Sequence, residues 1–528
     1  MKKWEYVTLV GVTLCAIVFY LLNFGRFQVG TYTDDGEYVV LARGLTQGKG
    51  LALINYPDAP LNTRYPPGYP MLLAPLAAVF PSEVLPLQLL STLFTAVSIW
   101  LVYWFARKDC APTTALVVSL AFAINPVAVG HSEMVMSEAA YLCLALLALL
   151  AFRKYVDSTT WWVIPAASLT VYSFYVRTMS LVLIAAFAIF LLVRRQHNKL
   201  IWWIVSVVIA LIPYAAYTAS VWGKIFNPIY VEQLDSPGTI GIAGDDLGAR
   251  VIEQLRYYTL NGIPATLLPG SVSPKTVQTL NHLSVAWIIP VLCGVLAAAM
   301  AVGAWQLIRS RGLQSVEIFV ALYLALLLVW PFHSERFLYP LIPFLYLYFV
   351  VGIEASLHWG LGQLSHRLRS LPSSRSATVV VLAFLICITS LDAYQLLNTL
   401  KQKSTDFAPD LRAGASWIAE NAPKSSIVMT NSPISRYLYT ERWTIDAGMG
   451  DSEVQILDRI AQRSVDYALI APKLEWGAHR TEDTYSVKVL EPVLRSHPEQ
   501  FELVYEDAAN LVRVYHRVGS VPRKTPIS

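Results

Sequence analysis

Two short acidic stretches and three short basic segments hold the residue types that could do chemistry. The segment TYTDDGEYVVLARGL sets Asp34, Asp35 and Glu37 close together, and HSEMVMSEAAY carries His131, Glu133, Ser137 and Glu138. A carboxylate removes a proton from a hydroxyl when it lies about 3 Å away, and several carboxylates together offer oxygens to Mg²⁺ or Mn²⁺. Either use needs acids to converge from separate segments. The basic complement is Arg64 in NTRYPPGY, Arg177 in FYVRTMS, and His333 with Arg336 in WPFHSERFLYPLIPFLY. Arginine suits phosphate because its planar fork donates two parallel hydrogen bonds. Each position also has a plainer reading. Asp35-Gly36 can be a simple turn among solvated acids, Glu138 a buried helix acid, and the arginines side chains that snorkel to headgroups.

What must position these residues is a membrane bundle. Of 528 residues, 55% are hydrophobic and 14% charged, against about a quarter charged in a soluble domain. The surplus apolar surface calls for lipid. A span needs about 20 apolar residues, which gives about eleven: 6–24, 84–106, 112–130, 138–152, 160–176, 179–193, 200–220, 283–308, 315–332, 338–357 and 377–395. The clusters Lys2/Lys3, Arg107/Lys108, Arg153/Lys154, Arg194/Arg195/Lys199, Arg309/Arg311 and His366/Arg367/Arg369/Arg375 then share one side. By the positive-inside rule that side is the cytoplasm. The N-terminus is thereby inside, and the acidic stretches, the basic positions and the C-terminus are extracytoplasmic, in a plasma-membrane protein. The start of the chain reads as a retained first span.

The expected organisation is a transmembrane domain, 1–395, with outer loops 25–83 and 221–282, followed by an extracytoplasmic α/β domain, 396–528. Residues 66–81 are apolar but short and proline-rich, so they are expected to lie along the outer interface. Beyond Ala408, SIVMTNSP, DYALIAP and FELVYEDAANLVRVYHR alternate like strands, and LRAGASWIAENAP has a helical pattern. The glycine-rich stretch around Asp245 and Asp246 reads as a mobile loop. A net charge of +4 over this length, with Lys and Arg in short clusters, gives no reason to expect nucleic acid. The five cysteines lie in or beside apolar segments, so no disulfide framework is visible.

Acids that activate a hydroxyl and bases that hold a phosphate, at the outer surface of a bilayer, suit a glycolipid phosphate donor. With TYTDDGEYV after the first span, RYPPGYPMLLAPLAAVF, INPVAVGHSEMVMSEAAYL, HSERFLYPLIPFLYLY and a terminal outer domain, in that order, the chain resembles the C-type integral-membrane glycosyltransferases. The resemblance is to the protein O-mannosyltransferase and lipid A aminoarabinose transferase group. It implies a first-loop aspartate as catalytic base, Asp34 or Asp35 with Asp34 favoured over both Asp35 and Glu37. It implies an assisting second-loop acid, Glu133 or Glu138, and donor-phosphate contacts from Arg336, His333, Arg64 and Arg177. Metal use differs among such relatives, leaving a divalent cation, Mg²⁺ or Mn²⁺, as an optional cofactor. The partners implied are a polyprenyl-phosphate-sugar donor, membrane lipids and an acceptor lipid, glycan or protein, with inversion at the anomeric carbon.

A multi-pass transporter is the rival from another class, since acids and arginines in a membrane also build ion paths. Transporters commonly show repeated halves with polar sites at the midplane, whereas these residues cluster at one surface and no repeat is evident. About eleven spans are excessive for a mere anchor of the outer domain.

Overall fold

The computed structural model describes residues 1–25, 27–32, 34–62, 64–223, 229–242, 244, 246–268, 278, 287–367, 411–448, 452–471, 473–474, 480–481 and 486–519. Within lipid each segment must satisfy its own backbone polar groups, and the apolar runs accordingly fold as helices. These are α1 (Lys3–Asn23), α2 (Asp34–Thr46), α3 (Gly68–Val79), α4 (Leu85–Arg107), α5 (Pro112–Ile124), α6 (Pro126–Glu133), α7 (Ser137–Asp157), α8 (Val163–Val176), α9 (Leu181–Val193) and α10 (His197–Trp222). There follow α11 (Ile229–Asp235), α12 (Leu247–Tyr257), α13 (Ile263–Leu267), α14 (Ile288–Arg311), α15 (Ser315–Val329) and α16 (Ile342–Arg367).

Helices stand at ten of the expected spans, and the span expected at 377–395 lies outside the described residues. Their lengths differ. Among the described residues six helices are long and apolar enough to cross a bilayer, or seven if α5 and α6 form one span bent by 55°. Helices α8, α9 and α15 have only 14, 13 and 15 residues. The bend has a local cause: Pro126 has no N–H to continue the ladder of α5. Asn125 repairs the break, accepting from the amides of Val127 and Ala128 at 3.0 and 3.2 Å. Its amide nitrogen donates to the Thr266 carbonyl and the Tyr346 hydroxyl at 2.6 and 3.1 Å.

At the C-terminal ends of α4, α7 and α14, three of the expected cytoplasmic arginines meet acids. Arg153 forks onto Asp109 at 3.0 Å through both terminal nitrogens. Arg311 lies 3.5 Å from Asp109 and 2.7 Å from Glu317, and Arg107 lies 3.6 Å from Glu5. The opposite end carries α2 and α3. Residues 34–46 are a helix buried from Asp35 to Gly44, not part of an open loop. Helix α3 falls within the stretch 66–81.

The terminal residues form a mixed five-stranded sheet. Strands β1 (Ile427–Thr430), β2 (Trp443–Asp446), β3 (Tyr467–Ile470), β4 (Phe501–Asp507) and β5 (Val512–Arg517) lie in the order β2-β1-β3-β5-β4. The first three are parallel and the β3-β5-β4 pairs antiparallel. Strands β1 and β3 are buried along their whole length, as parallel strands covered on both faces are. The covers are α17 (Ala415–Asn421) on one side, and α19 (Glu453–Gln462) with α20 (Glu491–Ser496) on the other. The expected strand and helix segments coincide with β1, β3, β4, β5 and α17. A further helix, α18 (Pro433–Thr440), links β1 to β2 and packs on α2.

Helices α14 and α16 touch through backbone. A Cβ built on Gly303 would stand 1.8 Å from the Tyr348 carbonyl oxygen, and one on Gly352 would stand 1.8 Å from that of Ala299. Small residues permit such approaches in lipid. Gly303→Leu is therefore expected to abolish a monodisperse, folded protein on detergent size exclusion, while Gly294→Leu, at a position with nothing within 4 Å, leaves it intact. Equal behaviour of the two variants would refute the contact.

Candidate active site

The acids of α2 separate into three jobs. Asp35 turns back on the preceding loop, accepting from the amides of Gly30, Tyr32 and Gly36 at 2.7, 3.2 and 2.9 Å. Glu37 accepts from the Asn62 side chain. Asp34 alone reaches across the bundle, accepting from the Tyr65 hydroxyl and from Arg336 Nη2 at 2.8 Å. Burial pushes both the Asp35 and the Glu37 carboxyl up to about 7. Each therefore holds its proton to a higher pH than an ordinary carboxyl does.

Arg336 opens the 3₁₀ segment Glu335–Leu341, where the Ser334 side chain caps its amide at 3.3 Å. Its Nε lies 3.5 Å from Glu138 Oε1, and Arg177 Nη1 lies 2.9 Å from the same oxygen. Arg177 stands in the break between α8 and α9 and also donates to Ser137 Oγ at 3.1 Å. Ser137 accepts in turn from the Tyr38 hydroxyl at 3.3 Å. Glu138 is 1% exposed, in the first turn of α7, where the helix dipole favours an anion. The ring of Phe337 lies 5.4 Å from the Arg336 guanidinium and 5.9 Å from that of Arg177.

The remaining candidates have other bonding partners. Glu133 accepts from Asn23 Nδ2 at 3.3 Å and from the Gly25 amide at 3.1 Å, tying α6 to the end of α1. His131 donates through Nδ1 to the Val127 carbonyl at 2.8 Å, with its ring 5.1 Å from Tyr339. His333 stacks on Tyr257 at 4.1 Å, and burial pushes its imidazole below the usual range, so it offers a neutral ring. Arg64 is exposed, its guanidinium 5.3 Å from the Tyr65 ring. Among the described residues no three His, Cys, Asp or Glu side chains are grouped to hold a metal ion. Tyr65 and Asn62 were missed from sequence, although they flank Arg64.

The turn that carries His333 and Arg336 is held from outside. Arg250, buried in α12, donates to the carbonyls of Leu234, Ser236 and Ile242 at 2.6, 2.8 and 2.8 Å. Gln254 donates to the Trp330 and Phe332 carbonyls at 2.5 and 3.2 Å. Asp246 caps α12 through the Ala249 amide at 3.1 Å, so much of the stretch read as mobile is stitched down. Asp245 lies outside the described residues.

Residues 64–219 match the family model of dolichyl-phosphate-mannose-protein mannosyltransferases. The structure superposes on ArnT from Cupriavidus metallidurans bound to undecaprenyl phosphate with a TM-score of 0.62 at 13% identity, covering 98% of this chain and 99% of that one. The chain shares the fold of that structure. ArnT from the same organism in the apo state gives 0.60 at 15% identity, over 98% of each chain. The archaeal oligosaccharyltransferase AglB from Archaeoglobus fulgidus, in complex with an inhibitory peptide and a dolichol-phosphate, gives 0.58 at 13% identity over 100% of this chain and 75% of that one. No curated protein gives a significant match by sequence.

Within this fold the first acidic stretch makes a pH-sensitive element. Between the ordinary carboxylate range and about 7, the folded chain holds protons on Asp35 and Glu37 that the unfolded chain has released. Stability therefore declines as pH rises through that window and levels off above it. The melting temperature of the detergent-solubilised protein is expected to fall between pH 5 and pH 7.5, and Glu37→Gln to flatten part of that fall. Identical pH profiles for the two proteins would show that Glu37 does not titrate as described.

Proposed function

We propose that the chain transfers a hexose or pentose from a polyprenyl-phosphate-linked donor to an acceptor on the extracytoplasmic side, with inversion. The observation that carries this reading is the Asp34–Arg336 pair at 2.8 Å, which joins the first acidic stretch to the turn before the final described span. Asp34 is the base and removes the proton of the acceptor hydroxyl or amine. The acceptor atom forms its bond to the anomeric carbon as the bond from that carbon to the phosphate oxygen breaks. The electron pair leaves with the polyprenyl phosphate.

Charge favours this assignment of roles. Arg177 and Arg336 are held by Glu138 and Asp34, while Arg64 faces Glu37, whose carboxyl burial pushes up to about 7. An incoming phosphate would be met by these three guanidinium groups, with the neutral His333 as a hydrogen-bonding group. Stabilising charge that develops on a leaving group is commonly the largest catalytic effect. Glu138 assists by holding both buried arginines. Whole-length likeness to transferases supports an enzyme over a transporter, and the basic ends of α4 and α7 support a cytoplasmic N-terminus in the plasma membrane.

In nanodiscs supplied with a panel of undecaprenyl-phosphate sugars and membrane-extracted acceptors, Asp34→Asn should lower transfer by about 10²- to 10⁴-fold at unchanged protein level. Full activity in that variant would sink the base assignment. Arg336→Lys keeps the charge but loses the fork, and is expected to raise the donor KM. A KM equal to wild type would remove Arg336 from donor binding.

A further inference from the structure

The loop that leads into α2 is gripped from two sides. From its own helix, Asp35 holds the Gly30 and Tyr32 amides. From the sheet domain, Ser435 Oγ donates to the Gly30 carbonyl at 2.6 Å and the Tyr439 hydroxyl donates to the Val29 carbonyl at 2.7 Å. The Leu411 amide donates to Gln28 Oε1 at 2.9 Å. Gly30 has φ +102°, and a Cβ there would lie 2.9 Å from Ser435 Cβ, so loop and helix fit with no room between them. Ile434 and Leu438 complete the fit against Gly36, in the first turn of α2.

Helix α18 is itself fixed. Arg436, 2% exposed, donates to the Leu411 carbonyl at 2.7 Å. Thr444 of β2 donates to the Pro433 carbonyl at 2.6 Å, and its amide donates to the Asn55 carbonyl at 2.7 Å. The start of α2 is thus anchored to the sheet domain, although Asp34 itself meets Tyr65 and Arg336 from the membrane domain. A carboxylate that must approach an acceptor proton within hydrogen-bond reach depends on such anchoring.

We propose that the sheet domain sets the position of the base, with Ser435 and Tyr439 of α18 as positioning residues that act through residues 29–30 on Asp34. This rests on the proposed function. The two hydroxyls touch neither donor nor acceptor, so their loss should affect turnover and leave donor binding alone.

The test uses the full chain in nanodiscs. Ser435→Ala/Tyr439→Phe is expected to lower kcat by about 10- to 100-fold, the scale of a small misplacement of reacting groups, with the donor KM and melting temperature of wild type. Ser435→Thr, which restores a hydroxyl, should recover most of the turnover that Ser435→Ala loses. Wild-type kcat in the double variant overturns the proposal. So does a fall in kcat accompanied by a matching rise in KM and a lower melting temperature, which marks a role in stability only. If the double variant does not fold, Tyr439→Phe alone carries the same comparison. Absence of transfer by the wild-type chain, or full activity of Asp34→Asn, would overturn the functional reading itself, and that outcome is distinct from a normal double variant beside an inactive Asp34→Asn.

Discussion

The site depends on one buried carboxylate. Glu138 lies between two guanidinium groups that would otherwise repel each other, Arg177 from the α8–α9 break and Arg336 from the segment before α16. In an apolar interior an unpaired charge costs several kcal/mol, and breaking a buried pair typically costs about 3–5 kcal/mol. Three segments distant in sequence are thereby held at a common point. Asp34 joins through Arg336, so the base is located by the same balance. The aromatic face of Phe337 against both arginines replaces water that would screen them.

Around this point the chain supplies rigid surroundings instead of loops. Helix α2 buries nearly every residue after its first. The segment after α10, long and polar enough to read as mobile, is folded about the Arg250 guanidinium and fastened by Gln254 to the turn of Arg336. Precise placement of reacting groups removes orientational freedom in advance. A base and phosphate-binding arginines drawn from remote segments need that support.

Much of this was legible in the sequence where the physics is local. Apolar runs bounded by charge located the helices, and alternation located β1, β3, β4 and β5. The gathering of Asp34, Glu138, Arg177 and Arg336 at one end followed from counting spans. Less legible were features set by contacts. The Asn125-Pro126 bend depends on partners at Thr266 and Tyr346, and Asp34 and Arg336 are 302 positions apart. That Asp35 would turn to backbone amides while its neighbour faced the site is decided by the helix start, which a row of acids does not reveal. Span length was less legible, because runs of 13 to 15 helical residues are as apolar as full crossings.

Those short helices have a consequence for the lipid itself. Helices α8 and α9 rise only about 20 Å each at ~1.5 Å per residue, against a hydrocarbon layer of about 30 Å. A hydrophobic stretch shorter than the bilayer draws the interface toward itself. A bilayer that thinned beside the α8–α9 junction would bring a headgroup phosphate toward the depth of Arg177 while its chain stayed in oil.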